Sequence, residues 1–212
     1  MNIVPVILAQ SQEEFIEKVH NDEVKKLAPL FQIDILDGSL FNTTCWADIE
    51  IIKTLDHLPN FELHLMIDNP LPVIKMWKEN IPSLQRAIIH AEIHRPLGAV
   101  IDQIKLLNLE VGIAVNPETD LMSVKNQIED VDILLIMGVH PGASGQSFLG
   151  EFILKKIQNA RAHFPNINIA VDGGITLENV KSIIDAGTNQ LCVSSAIWKA
   201  KNPTEAIKQL TI

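Results

Sequence analysis

The residues able to do chemistry in this chain stand where apolar runs are interrupted. Gln32 and Asp34 break LFQIDIL (30–36), His64 breaks FELHLM (61–66), and Asp172 follows INIAV (167–171). Side chains alternate along a strand, so Gln32 and Asp34 share one face while Asp37 falls on the other. Two carboxylates from distant strands with a histidine between them suit two tasks. With His64 they can ligate a divalent cation. They can also serve as acid and base on opposite faces of a substrate carbon. The same spacing also allows plain structural roles, with Asp34 paired to a lysine or arginine and Asp172 capping a helix.

A second group of residues points to an anion. HPGASGQSF (140–148), DGGI (172–175) and VSSAI (193–197) are short loops that follow apolar runs. Backbone N–H groups in such loops, with a helix start behind them, bind phosphate without a positive side chain. The chain carries 26 acidic and 17 basic residues, a net charge of −9. An acidic protein of this kind must capture an anionic ligand by a local device, and its overall field argues against nucleic acid or an anionic membrane as partner.

The elements that must position these residues repeat regularly. Apolar runs recur at 3–8, 30–36, 61–66, 86–90, 109–115, 131–137, 167–171 and 189–194. Helical periodicity follows them. In residues 13–27, Phe15, Ile16, Val19, Val24 and Leu27 suit one apolar stripe, 101–107 and 177–187 behave similarly, and Gly187 stands where a helix would be capped. Strands this apolar are buried on both faces, as in parallel sheets. Eight strand-plus-helix units in 212 residues predict an α/β protein, a compact (β/α)₈ TIM barrel forming a single domain over 1–212. An open doubly wound sheet is disfavoured because no G-x-G-x-x-G follows the first run. In a barrel, function belongs at the C-terminal strand ends, where Asp34, His64, His90, Glu92, Asn116, Met137, His140 and Asp172 fall.

Hydrophobic residues make up 47% and charged residues 20%, ordinary for a globular protein. Cys45 and Cys192 lie far apart and outside any metal-ligand spacing, and read as reduced thiols of a cytoplasmic protein. MNIVPVILAQ lacks the basic start of a signal peptide, and no apolar run reaches membrane-span length. Trp46, Trp77 and Trp198 read as helix-to-barrel packing, and His20, His57, His94 and His163 as solvated.

Taken together, VPVIL near the start, IDILDG, HLM (64–66), IIHAE (88–92), GIAVNPET (112–119), LIMGVHPGASGQSF (135–148), VDGGI (171–175) and SSAI (194–197) resemble the ribulose-phosphate 3-epimerase family nearly end to end. The resemblance implies an isomerase of carbohydrate metabolism in the pentose phosphate pathway. Such enzymes interconvert D-ribulose 5-phosphate and D-xylulose 5-phosphate through an enediolate, with one aspartate taking the proton and another returning it. Asp34 and Asp172 match those aspartates. A divalent metal (Zn, Fe or Mn) is implied, with Asp34, His64 and Asp172 matching three ligands. Met66 and Met137 match methionines that cushion the enediolate, and Leu36 stands for a third. Gly142, Ala143, Ser144, Gly145, Gly173, Gly174, Ser194 and Ser195 match the phosphate loops. A small phosphorylated sugar is thus the implied partner, and the resemblance leans toward a homo-oligomer.

The departures fall in the site. Gln32 replaces the first metal-binding histidine, and a carboxamide oxygen is a weaker ligand than imidazole. Val6 replaces a substrate-facing serine, Ala143 and Ser144 replace a Phe-Gly pair, and Ser194 replaces a glycine. Besides the epimerase, two other readings are open: an epimerase or isomerase of another ketose phosphate, such as a hexulose 6-phosphate, and a non-catalytic sugar-phosphate binder. Related decarboxylases and synthases use Asp-x-Lys-x-x-Asp, and Asp34-Ile35-Leu36-Asp37 lacks that lysine.

Overall fold

The structure, a computed structural model, describes residues 1–143 and 145–211. Eight strands alternate with helices along the chain: β1 Asn2–Ile7, β2 Leu30–Leu36, β3 Asn60–Met66, β4 Leu84–His90, β5 Glu110–Val115, β6 Ile133–Met137, β7 Asn168–Asp172 and β8 Gln190–Val193. All neighbours pair in parallel, and β8 returns to β1 to close the ring in the order β1 to β8. This is the (β/α)₈ TIM barrel that the repeating apolar runs predict. The helices are α1 Gln12–Val19, α2 Asp22–Leu27, α3 Ile49–Ile52, α4 Pro70–Asn80, α5 Leu97–Lys105, α6 Lys125–Glu129, α7 Glu151–His163, α8 Val180–Asp185, α9 Ser195–Trp198 and α10 Pro203–Leu210. Among the described residues no helix is long and apolar enough to cross a membrane.

The first helical stretch differs from the single stripe expected over 13–27. It breaks at His20 and Asn21, because the Asn21 side chain accepts the Val24 N–H at 3.1 Å and starts a second helix. The break rotates the two stripes apart, so Phe15, Val19 and Val24 are buried while Leu27 is exposed. Gly187 does follow α8 in a left-handed conformation, with φ +118°.

The core has two layers. Outward-facing strand residues such as Ile33, Leu63, Ile89 and Ile113 pack against the helices, with Trp77 edge-on to Phe61 at 6.3 Å and Trp198 tilted on Phe31 at 6.2 Å. The Trp198 indole also donates to the Val6 carbonyl at 2.7 Å, tying α9 to the end of β1. Inside the barrel a smaller apolar layer holds Val4, Val6, Ile88, Ala114, Ile133 and Leu135. Gly112 lets β5 fit that layer, since an added Cβ would lie 2.7 Å from Ile88 and 2.8 Å from Ile133. Gly112→Ala is therefore expected to destabilise the protein by about 1–3 kcal/mol through overpacking, measured as a lower urea midpoint at unchanged m-value.

Below that layer the barrel is closed by charge. Glu62 is fully buried and accepts from Arg86 at 2.6 Å and from the Gln190 amide at 3.0 Å. Arg86 also binds Glu110 through Nε at 2.9 Å. Burial pushes the Glu62 carboxyl up from its ordinary value, and Arg86 and Gln190 offset only part of that.

Candidate active site

The strand registers explain why buried strands carry acids. Inward positions recur every second residue, and register aligns Val6 with Gln32, Asp34 with His64, Met137 with Asp172, and Asp172 with Cys192. Gln32, Asp34, His64 and Asp172 therefore point into the same upper layer of the barrel, and all four are buried. Neither aspartate takes the structural role open to it: among the described residues Asp34 meets no lysine or arginine and Asp172 caps no helix.

Their polar atoms form a compact cluster. His64 Nδ1 lies 3.2 Å from Asp34 Oδ1 and 3.3 Å from Asp172 Oδ2. The Gln32 amide nitrogen donates to those same two oxygens, at 2.7 Å each. Two nitrogens and two oxygens thus alternate around a diamond. Asp34 Oδ2 and Asp172 Oδ1 receive no hydrogen bond among the described residues, which leaves one oxygen of each acid for a substrate. Burial, and secondarily the charge of Asp172, push the Asp34 carboxyl up, with His64 opposing. Burial by itself would lower His64, but its hydrogen bonds to Asp172 and Asp34 win and raise it to about 9. At neutral pH the His64 ring is therefore protonated where it faces the two acids.

A further chain of contacts was not legible as a site from sequence. His64 Nε2 lies 2.9 Å from His90 Nε2, and the two rings stack with centroids 5.0 Å apart. His90 Nδ1 lies 2.9 Å from Glu92 Oε2, and Glu92 also accepts the Asn116 N–H at 2.8 Å and the Thr119 hydroxyl. Burial, joined by the charge of His64, brings His90 down to about 4, so it is neutral. The donor directions then agree along the chain: His64 Nε2–H to His90 Nε2, and His90 Nδ1–H to Glu92. This fixes the ring orientation of His64 and turns Nδ1 toward the acids. In the sequence His90 and Glu92 stand out as polar residues at a strand end, within the IIHAE stretch, with nothing to tie them to His64.

The cavity above the cluster gathers the other expected residues. Met66 and Met137 form part of its apolar wall, as does Val6. Leu36 does not line it; this residue is buried at the end of β2, where its N–H faces the Cys45 sulfur at 3.2 Å. Both cysteines are free thiols. At the opposite end the cavity is bounded by Gly142, Ala143 and Gly145, by Gly173 and Gly174, and by Ser194 and Ser195. Ser144 lies outside the described residues. Gly174 has φ +71°, and a Cβ there would meet the Phe148 backbone nitrogen at 2.4 Å, so only glycine fits this turn. Lys199, which sequence reading passed over, brings its Nζ to 3.4 Å from the Cβ position of Gly145, placing a cation beside this loop in an acidic protein.

Asp34, His64 and Asp172 offer ligand atoms that all lie within 4.8 Å of one another, a donor set suited to a divalent cation. The fourth side of the cluster is the Gln32 amide, whose Oε1 is buried and without a hydrogen-bond partner among the described residues. That orphaned oxygen is a neutral donor able to complete the set, so the residues fit a metal once the amide draws back and turns.

Fold and site together define a TIM-barrel protein with an acid–imidazole–acid centre at its C-terminal mouth. A family model described as the ribulose-phosphate 3 epimerase family matches residues 2–198. The chain belongs to the ribulose-phosphate 3-epimerase family, a family of isomerases. It is 34% identical over 191 residues to the chloroplastic ribulose-5-phosphate-3-epimerase of Arabidopsis thaliana, an alignment covering 83% of this chain and 64% of that protein. It is 29% identical to ribulose-phosphate 3-epimerase of Bacillus subtilis, over 99% of this chain and 98% of the relative, and 28% identical to that of Schizosaccharomyces pombe, over 98% and 91%. Among solved structures, a mutant tryptophan synthase α-subunit from Pyrococcus furiosus superposes with a TM-score of 0.73 at 13% identity, covering 99% of this chain and 96% of that one. At that identity the likeness speaks for the fold alone.

Proposed function

We propose that this chain interconverts D-ribulose 5-phosphate and D-xylulose 5-phosphate, with Asp34 and Asp172 as the two proton carriers. The observation that carries this reading is that each acid has one oxygen fixed in the diamond with Gln32 and His64 and the other left unbonded. Held in this way, the two acids approach a small substrate from different walls of one cavity. One, ionised, takes the proton from the carbon beside the ketone, and the other, protonated at the start of the turnover, gives its proton to the opposite face. The imidazolium of His64 and the amide of Gln32 keep both acids in place and partly neutralise them. With its Nδ1 proton given up, His64 could join Asp34 and Asp172 in holding a divalent metal, which would supply Lewis-acid stabilisation of the enediolate oxygens. Met66, Met137 and Val6 exclude water from the reacting carbons. The ester phosphate is received by the main-chain N–H groups of Gly173, Gly174, Ser194 and Ser195 and of the loop around Gly142 and Gly145, with Lys199 adding a positive charge.

The test is a coupled assay of ribulose 5-phosphate epimerisation, run on metal-stripped protein and after adding Zn²⁺, Mn²⁺ or Fe²⁺. Turnover together with exchange of the carbon-bound proton into D₂O is the expected result. Binding of pentulose phosphate without either would overturn the catalytic reading and leave a binder.

A further inference from the structure

Gln32 is fully buried, and its amide nitrogen lies between the candidate ligand atoms. It is 2.7 Å from Asp34 Oδ1, 2.7 Å from Asp172 Oδ2 and 3.3 Å from His64 Nδ1. Two carboxylate oxygens converging on one point demand positive charge. The two amide hydrogens meet that demand by pointing one to each oxygen, much as a bound ion would meet it by coordination. The amide's own oxygen is meanwhile buried with nothing to accept from. A primary amide can exchange its two ends by rotation with little change in shape. Turned over in place, Oε1 would confront both carboxylates and add a third negative dipole; only with the side chain drawn back could a cation lie between them. The amide thus has two orientations, and the choice between them is set by whether a cation is present.

We propose that Gln32 is a built-in occupant of the metal position. In the metal-free protein its NH₂ cross-links Asp34 and Asp172 and keeps the site assembled. A divalent ion enters only when the amide draws back from this point and turns by roughly 180°, so that Oε1 becomes the fourth ligand. This rests on Asp34, His64 and Asp172 being the metal ligands of the proposed function. It goes beyond that function by giving the metal-free site a defined, closed arrangement in which the ion must displace a hydrogen-bonded group.

The experiment is NMR of the full-length protein with ¹⁵N-labelled glutamine side chains, the Gln32 pair being assigned by its disappearance in Gln32→Glu. In metal-stripped protein the Gln32 NH₂ pair should lie downfield of the exposed glutamines and exchange slowly with solvent. One equivalent of Zn²⁺ should move that pair to a new position while leaving the others in place. In parallel, saturating Zn²⁺ should raise the Tm of Gln32→Glu far more than that of the wild type, because the variant has a third carboxylate and no donor until the ion arrives. A Gln32 pair that exchanges as fast as exposed amides, or that stays unmoved when calorimetry shows Zn²⁺ bound, would overturn the proposal. Neither readout involves turnover. An inactive protein with the expected amide behaviour would sink the proposed reaction and keep this inference, and an active one without that behaviour would do the reverse. Should Gln32→Glu not fold, Gln32→His serves for the assignment and is expected to bind Zn²⁺ at least tenfold more tightly than wild type.

Discussion

Asp172→Asn is expected to lower epimerisation by about 10²–10⁴-fold, the usual contribution of a positioned acid or base, while leaving proton exchange from one of the two epimers measurable. The asymmetry follows from the geometry. Asp34 stays hydrogen-bonded to His64 and Gln32 without Asp172, so one wall of the cavity keeps the acid proposed as its proton carrier. Each epimer presents its carbon-bound hydrogen to one wall only. Incubating each pentulose phosphate separately in D₂O and following loss of that proton by NMR therefore reads the two acids one at a time. Equal loss of exchange from both epimers would mean that Asp172 acts as a ligand or a structural group and not as one of two proton carriers.

The largest expected effect on stability lies at the other end of the barrel. Arg86→Met would leave Glu62 fully buried with only the Gln190 amide and the weak Cys192 thiol donor as partners among the described residues. Removing one member of a buried pair typically costs about 3–5 kcal/mol, and for a protein of this size that lowers Tm on the order of 10 °C. The cause is the stranded charge, not the lost attraction. Adding Glu62→Leu to Arg86→Met should therefore recover most of the loss, as thermal unfolding of the pair of variants would show. The pH dependence has a definite sign. In Arg86→Met the folded-state pKa of Glu62 is raised further, so the penalty is full above that pKa and shrinks as pH falls through it. A deficit that instead grows on acidification would locate the damage elsewhere.

The barrel was legible because its signal is local. Runs such as LLIM and AIIH, spaced by amphipathic stretches, state the strand–helix repeat without reference to partners. The shared face of Gln32 and Asp34 was legible for the same reason. The opposite holds for contacts across the ring. The His64–His90–Glu92 chain depends on β3 and β4 lying side by side in one register, and the Glu62–Arg86–Gln190 group joins three strands, one of them 128 residues from Glu62. Gln32 is the clearest case. Its residue type suggested a feeble ligand offering oxygen, yet it presents nitrogen, because two acceptors converge on it and one comes from 140 residues away. The break between α1 and α2 was missed for a smaller reason: a single Asn21 side chain competes locally with helix continuation.

The closing pair of the ring, Asn2 against Gln190 and Val4 against Cys192, bears on how the molecule comes into being. A nascent polypeptide leaving the ribosome cannot seal the cylinder until its eighth strand has emerged. Asp34 and Gln32, made early, wait for Asp172, made late. The acid pair is thus a property of the finished ring and of no fragment, and ordering it depends on contacts of long sequence separation, the kind that fold slowly.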